Sequence, residues 1–493
     1  MSLTASPGCG PALSARTTAS LLVGTATLLI VVTFVLWPAL RTVPFWDDLY
    51  TLIAIDVMAS RGRSVVLTTG DLIGFWRPAE LWLNAVLRHI DPDTLLQVKL
   101  VSLTFHMLKA GAVAVLVRRL APTLPTAYAW ISGMVALVHP IAVTAATQID
   151  TISESIAAAA IAWAFVLTLA AMKADAHGRS IRLAGVATLC AIALLGKESS
   201  LPAVLAMPIA AIIVVPRCRE ARWDIAKLAA IVFGLCLALI VIRYALGFGR
   251  PVADNGRYAI GFGLNVFKNL FTIVGSLSFF GNTVSLIGDR NPFALVGFIP
   301  VVLGLFVVSR AVLLQRKAFL STYDLRIAVA CAIVALAAVS APSLAPMISE
   351  QNAALPSTAF LAMTLGAVSA AAYVDRGHGK SIAALAAILA FTCGLVAMRE
   401  KANAAAGVGQ VVRDTRTAIA TLARTHNHIN VCIIPENGRA YSSYHLPAER
   451  WMPEEILWAQ HIFPGKDISY EMKSPDSDCN ISVTNFATAD SIR

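Results

Sequence analysis

The chain has 493 residues, is 57% hydrophobic and 14% charged, and carries a net charge of +10; its mean hydropathy is +0.71. A water-soluble protein of this length needs far more charge to cover its surface, so that class is excluded. Residues 399–493 hold ten Lys/Arg and eleven Asp/Glu, so the positive charge belongs to the apolar part. There it orients loops, and no basic run with interleaved aromatics points to a nucleic-acid partner.

The first apolar run, Thr18–Leu40, is long for a signal peptide and lacks a clear small-x-small cleavage site, so it reads as a first span. Pro44-Phe45-Trp46-Asp47-Asp48-Leu49-Tyr50 follows, and places two adjacent carboxylates where the chain leaves the bilayer. Asp48–Arg61 and Arg77–Ile90 then have apolar residues at helical spacing, the pattern of interfacial helices. Further spans are expected at Gln97–Val117, Ala127–Thr147, Ser153–Met172, Leu183–Leu195, Leu201–Pro216, Ile225–Leu246, Pro292–Val308, Ile327–Ala341, Pro356–Val374 and Ser381–Met398, about 11 in all. The shorter runs are tilted or extended by polar neighbours to cross the bilayer.

Basic residues fall in alternate gaps: Arg118/Arg119, Lys173–Arg182, Arg217–Lys227, Arg310–Arg326 and Arg376–Lys380. The positive-inside rule makes these gaps cytoplasmic, with the N-terminus inside and the C-terminal tail outside, periplasmic in a bacterial inner membrane. Gly261–Leu286 is apolar, but counting it as a span inverts the Arg310–Arg326 gap, so it is expected to be interfacial or re-entrant. The tail alternates helix-like and strand-like stretches: Ala404–Arg424, His428–Ile434, Pro453–Phe463, Asp467–Lys473 and Ile481–Phe486. It predicts a small α/β domain at 399–493 behind an all-α polytopic region at 1–398. Cys432 and Cys479, both at expected strands on the oxidising side, are expected to be bridged.

The polar residues of the apolar region gather on the outer side: Asp47, Asp48, Arg77, His139, Asp150, Glu154, Lys197, Glu198, Arg243, Arg250, Arg257 and Glu350, with His106 and Lys109 inside the second span. Ionisable groups at membrane depth are costly and mark function. Lys197 and Glu198 also fit a mutual ion pair. No Cys/His spacing suggests zinc. A divalent cation on the paired acids is possible, but hard cations want more oxygen ligands, so no cofactor is expected.

The ordered motifs Trp46-Asp47-Asp48, Trp76-Arg77-Pro78-Ala79, His139-Pro140, Glu154, Gly196-Lys197-Glu198-Ser199 and Glu350 to Leu355-Pro356-Ser357 resemble those of GT-C membrane glycosyltransferases. They are most similar to those of the transmembrane O-mannosyltransferases that carry tetratricopeptide repeats. The chain has no such repeats, Ile152 stands where that family has Arg, and Gln351 follows Glu350 in place of Arg. The resemblance implies a GT-C-like fold and transfer of a sugar from a polyprenyl-phosphate carrier to a glycan, lipid or protein hydroxyl at the outer membrane surface. Of the two acids, Asp48 is expected to be the base, because it starts an amphipathic helix whose backbone N–H groups orient it. Asp47 assists. Lys197, Arg243 and Arg257 are expected to hold the leaving phosphate. The alternatives are a flippase of lipid-linked glycans and a non-catalytic membrane scaffold, but no internal symmetry of the transporter kind is seen.

Overall fold

Hydrocarbon offers no partner for backbone N–H and C=O groups, so long apolar runs must close their hydrogen bonds within themselves as helices. The computed structural model describes residues 15–45, 47–62, 64, 76–143, 148–171, 176–214, 219–247, 263–283, 286, 291–344, 350–375, 377–434, 448–472 and 479–484. The first helix, α1 (Ala15–Leu40), leads into the Asp47/Asp48 stretch. Two short helices follow, α2 (Asp47–Ser60) and α3 (Pro78–Leu87). The bundle continues with α4 (Leu96–Leu120), α5 (Thr126–Leu137), α6 (Ile152–Ala171), α7 (Ala176–Gly196), α8 (Leu201–Val214) and α9 (Arg219–Ala245). It is completed by α10 (Leu264–Leu277), α11 (Ile299–Thr322), α12 (Leu325–Ser343), α13 (Ala354–Val374) and α14 (Gly379–Leu422).

Every expected span coincides with a helix. Among the described residues, 8 helices are long and apolar enough to cross a membrane; α5, α8, α10 and the Gly24–Leu40 part of α1 are shorter apolar helices. The chain is a multi-pass membrane protein. Two boundaries differ from the sequence reading. The third span was expected to reach Thr147, yet α5 stops at Leu137, because Pro140 offers no N–H and restricts His139 before it. The last span was expected to end at Met398, yet α14 runs 44 residues to Leu422. Hydropathy falls past Met398, but Ala, Arg and Gln keep the segment helical. Residues 398 and 399 both lie inside this one helix.

Alanine-rich α6 is the centre of the bundle. It is apolar on all sides, nearly all of it is buried, and it packs on α4, α7, α8 and α13. In contrast α10 is one-sided. Leu264, Phe267 and Phe271 are exposed, while Asn269, Ile273 and Leu277 face the protein. With 14 residues it is too short to cross, in keeping with an interfacial element. At the basic end of the bundle, Arg179 pairs with Asp224 at 2.8 Å and Arg310 with Asp375 at 2.9 Å.

The C-terminal part comprises β1 (His428–Ile434), α15 (Ala448–Ile462), β2 (Asp467–Met472) and β3 (Ile481–Thr484). The strands form one parallel sheet in the order β2-β1-β3, with His428 opposite Asp467 and Val431 opposite Ile481. Its core contains Ile429, Val431, Ile433, Trp451, Met452, Ile468, Ile481 and Val483. The same cluster takes in Val408 and Val412 of α14, and Val43 and Phe45 from the segment before α2. Cys432 and Cys479 form a disulfide with a sequence separation of 47. Closing a loop of that size restricts the unfolded chain by about 4 kcal/mol in the chain-entropy picture.

Candidate active site

The exit of α1 is held from two sides. Lys99, in the first turn of α4, is wholly buried, and its ammonium donates to the Thr42 carbonyl (2.6 Å), Thr42 Oγ1 (2.8 Å) and the Ala39 carbonyl (3.4 Å). A cation there satisfies the last carbonyls of α1 and opposes its dipole. Asp48 is also wholly buried. Its Oδ1 accepts from the backbone N–H groups of Ile149 (2.9 Å) and Asp150 (3.2 Å), and its Oδ2 accepts from Phe45 N–H (3.3 Å). Burial pushes the Asp48 carboxyl up to about 7, against the pull of Lys99 and those three N–H groups. Asp48 therefore pins the loop before α6 to the start of α2. Asp47 begins the same helix.

Beside this corner stands a network of side-chain ion pairs. Lys197, at the end of α7, pairs with Glu154 of α6, which also accepts from Ser153 Oγ at 3.0 Å. Glu198 does not pair with Lys197. Its Oε2 lies 3.4 Å from Arg77 Nε and 3.8 Å from Arg243 Nη1. Arg77 Nη1 is also 3.5 Å from Glu80 Oε2, and Thr51 of α2 donates to Glu80 Oε1 at 3.1 Å. Burial pushes Glu80 up to about 7 against Arg77 and Lys197. Burial alone would lower Arg77, but Glu198, Glu80, Glu154 and Asp150 outweigh it and hold the guanidinium above its ordinary value. Burial would raise Glu198, but Arg77, Lys197 and Arg243 hold it down at about 2.

The network is graded in exposure. The side chains of Glu154, Arg77 and Lys197 are 2%, 8% and 9% exposed, whereas those of Arg243 and Glu198 are 22% and 33% exposed. The Glu198–Arg243 end is thus the part open to an approaching anion. Its +3 from Arg77, Lys197 and Arg243 faces the carboxylates of Glu80, Glu154 and Glu198.

His139 stands apart. Its Nδ1 accepts from Ile141 N–H at 3.3 Å, which leaves Nε2 to donate to the Leu277 carbonyl at 3.2 Å, and its ring meets Phe280 edge-on at 4.9 Å. It links the end of α5 to α10. His106 meets the Leu137 carbonyl at 3.1 Å, and Lys109 is buried on α4 within electrostatic reach of Glu154. Glu350 lies on a 3-10 turn, Glu350–Ala353, that packs on α10. Trp46, Arg250 and Arg257 lie outside the described residues.

Sequence reasoning missed Lys99 and Glu80. Lys99 is a lone cation opening an apolar run, and Glu80 sits one helical turn from Arg77; both signals were available. Among the described residues, no group of three or more His, Cys, Asp or Glu could hold a metal ion.

The bundle, its short helices and the small C-terminal α/β part together make a GT-C-like fold. The chain is similar to ArnT from Cupriavidus metallidurans in the apo state, at 13% identity and a TM-score of 0.54, over 92% of this chain and 90% of that one. The same enzyme bound to undecaprenyl phosphate matches at 13% identity and a TM-score of 0.50, over the same shares. The Archaeoglobus fulgidus oligosaccharyltransferase matches at 11% identity and a TM-score of 0.52, over 90% of this chain and 64% of that one. At such identities the likeness is one of fold. No protein-family model and no curated protein sequence matches the chain.

Proposed function

We propose that the chain is an integral membrane glycosyltransferase that moves a sugar from a polyprenyl-phosphate carrier to a hydroxyl at the membrane surface. The carrying observation is the half-open Arg77–Glu198–Arg243 network beside the Asp48-anchored corner. A departing phosphate collects negative charge, and guanidinium groups already aimed at that position lower the barrier as well as aid binding. The GT-C-like fold supports this reading, and so does a structural neighbour crystallised with undecaprenyl phosphate.

Exposure and bonding separate the roles of Asp48 and Arg243. A base must touch the acceptor, and both Asp48 oxygens are engaged by backbone N–H groups in a sealed site. In this reading Asp47 takes the acceptor proton, and Asp48 positions it. This reverses the order of preference drawn from sequence. Arg243 meets the carrier phosphate, with Arg257 as a further candidate. Arg77 and Lys197 keep the carboxylates behind it ionised and fixed. The mannosyl subtype, the acceptor class, a bacterial inner-membrane location and a periplasmic C-terminal domain belong to the same proposal.

The test is incubation of the purified protein with a panel of polyprenyl-phosphate sugars and hydroxyl acceptors. Transfer from at least one donor, lowered in Arg243→Ala and more strongly in Asp47→Asn, is the expected result. Vectorial movement of intact lipid-linked glycan across proteoliposomes without sugar transfer would replace the reading with that of a flippase.

A further inference from the structure

The C-terminal part grips the segment that carries the acid pair. Val43 and Phe45 lie in its apolar core, and Phe45 is wholly buried there. Arg416, on the extension of α14, forms a two-pronged pair with Glu455 of α15: Nε to Oε2 at 2.7 Å and Nη2 to Oε1 at 2.8 Å. The same Nη2 donates to the Pro44 carbonyl at 2.6 Å. Glu455 is 1% exposed, so the pair has little competition from water. One turn back, Arg413 donates to the Arg41 carbonyl at 3.4 Å. Gly409 lets the helix approach closely, since a Cβ there would stand 3.0 Å from Thr42 Cβ. Residues 41–45 therefore run between Lys99 on one side and the α14 extension on the other.

That segment is hydrogen-bonded directly to the acids. Phe45 N–H donates to Asp48 Oδ2, and Asp48 N–H donates back to the Phe45 carbonyl at 3.3 Å. A shift of Pro44 and Phe45 is therefore passed directly to the start of α2. We infer that Arg416 is a positioning residue: held by Glu455, it clamps the Pro44 carbonyl and so fixes Asp47 and Asp48 for transfer. This deepens the glycosyltransferase reading and rests on it for the word transfer. The physical clamp does not depend on it.

The experiment uses the full-length protein in detergent. Arg416→Ala strands a buried Glu455 charge and risks unfolding the C-terminal part. The main variant is therefore Arg416→Met combined with Glu455→Gln, which removes the clamp without leaving a lone charge. Amide exchange of Val43, Phe45 and Asp48 is expected to quicken about tenfold while β1 keeps its protection, as for a local opening. Turnover at saturating donor is expected to fall about 100-fold, with KM within about threefold of wild type, the signature of misplaced rather than missing groups. Arg416→Lys keeps one bond to the Pro44 carbonyl and is expected to restore part of the turnover.

Unchanged exchange at these three amides in the double variant would overturn the clamp, whatever the activity. Faster exchange with undiminished turnover would overturn the positioning role. If wild type transfers no sugar while exchange quickens as expected, the glycosyltransferase reading fails and the clamp stands.

Discussion

Two charged corners lie side by side on this molecule and are built in opposite ways. At Asp48 the bonds run from a carboxylate to backbone N–H groups, with Lys99 bonded to carbonyls and the Thr42 hydroxyl, and both residues are wholly buried. At Glu198 the bonds run from side chain to side chain, at longer distances, and a third of the Glu198 side chain is exposed. Backbone bonds fix where chain segments lie. Side-chain pairs at a half-open edge can exchange one partner for a ligand. A carboxylate in a membrane protein is thus assigned a role by what it bonds and how far it is sealed, beyond its place in a motif.

The contrast between the two corners predicts effects of different size. Asp47→Asn removes the proposed base and should lower sugar transfer on the order of 1,000-fold with normal expression and melting, as loss of a general base does. Transfer at the wild-type rate would remove Asp47 from the mechanism. Asp48→Ala should act on the fold. It leaves three buried N–H groups without their acceptor and Lys99 without its counter-charge, at a cost of about 3 kcal/mol, read as a lower unfolding midpoint in detergent. An unchanged midpoint would contradict a structural role. Within the ion network, Arg243→Ala at the exposed end should lower turnover at saturating donor about tenfold without altering melting. Lys197→Ala should also lower turnover, but together with melting, because it strands Glu154 in a sealed site. If the two variants behave alike, exposure is not what separates them.

The smallest effect is in pH. The Asp48 carboxyl is raised from 3.8 to about 7, so the folded protein holds this proton more tightly than the unfolded chain does. Its contribution is full below about 4 and is lost as pH rises through about 7. Glu198 is lowered from 4.5 to about 2, so its contribution is present above about 4.5 and is lost as pH falls toward about 2. Thermal unfolding against pH should therefore flatten on the neutral side in Asp48→Asn and on the acid side in Glu198→Gln. Identical profiles for the two variants would count against the contrast.

Much of the fold was legible because hydrocarbon imposes one rule on every apolar run. The strands of the C-terminal part were legible as short alternating apolar and polar runs, and the Cys432–Cys479 bridge from the two cysteines' positions at those strands. Pairing was less so. Lys197 and Glu198 are adjacent in sequence, yet one turns to Glu154 and the other to Arg77 and Arg243, because the chain leaves α7 through a 3-10 turn that sends successive side chains apart. Lys99 was hidden because its partner, Thr42, belongs to another element and carries no motif, whereas Glu80 was legible at one helical turn from Arg77. Ala404–Arg424 was legible as a helix, but its continuity with the last span was hidden by a drop in hydropathy that changes a helix's surroundings without ending it.

That helix has a consequence for how the bundle and the C-terminal part move together. At 44 residues it extends roughly 66 Å, about twice the thickness of a bilayer core, and no proline interrupts it. Its first half stands among the membrane helices, and its second half carries Gly409, Arg413 and Arg416 against the exit of α1. A rod without a joint converts tilt at one end into displacement at the other. Packing against the neighbouring helices sets the tilt of its first half, so a rearrangement within the bundle reaches the segment before Asp47 and Asp48 through one continuous element.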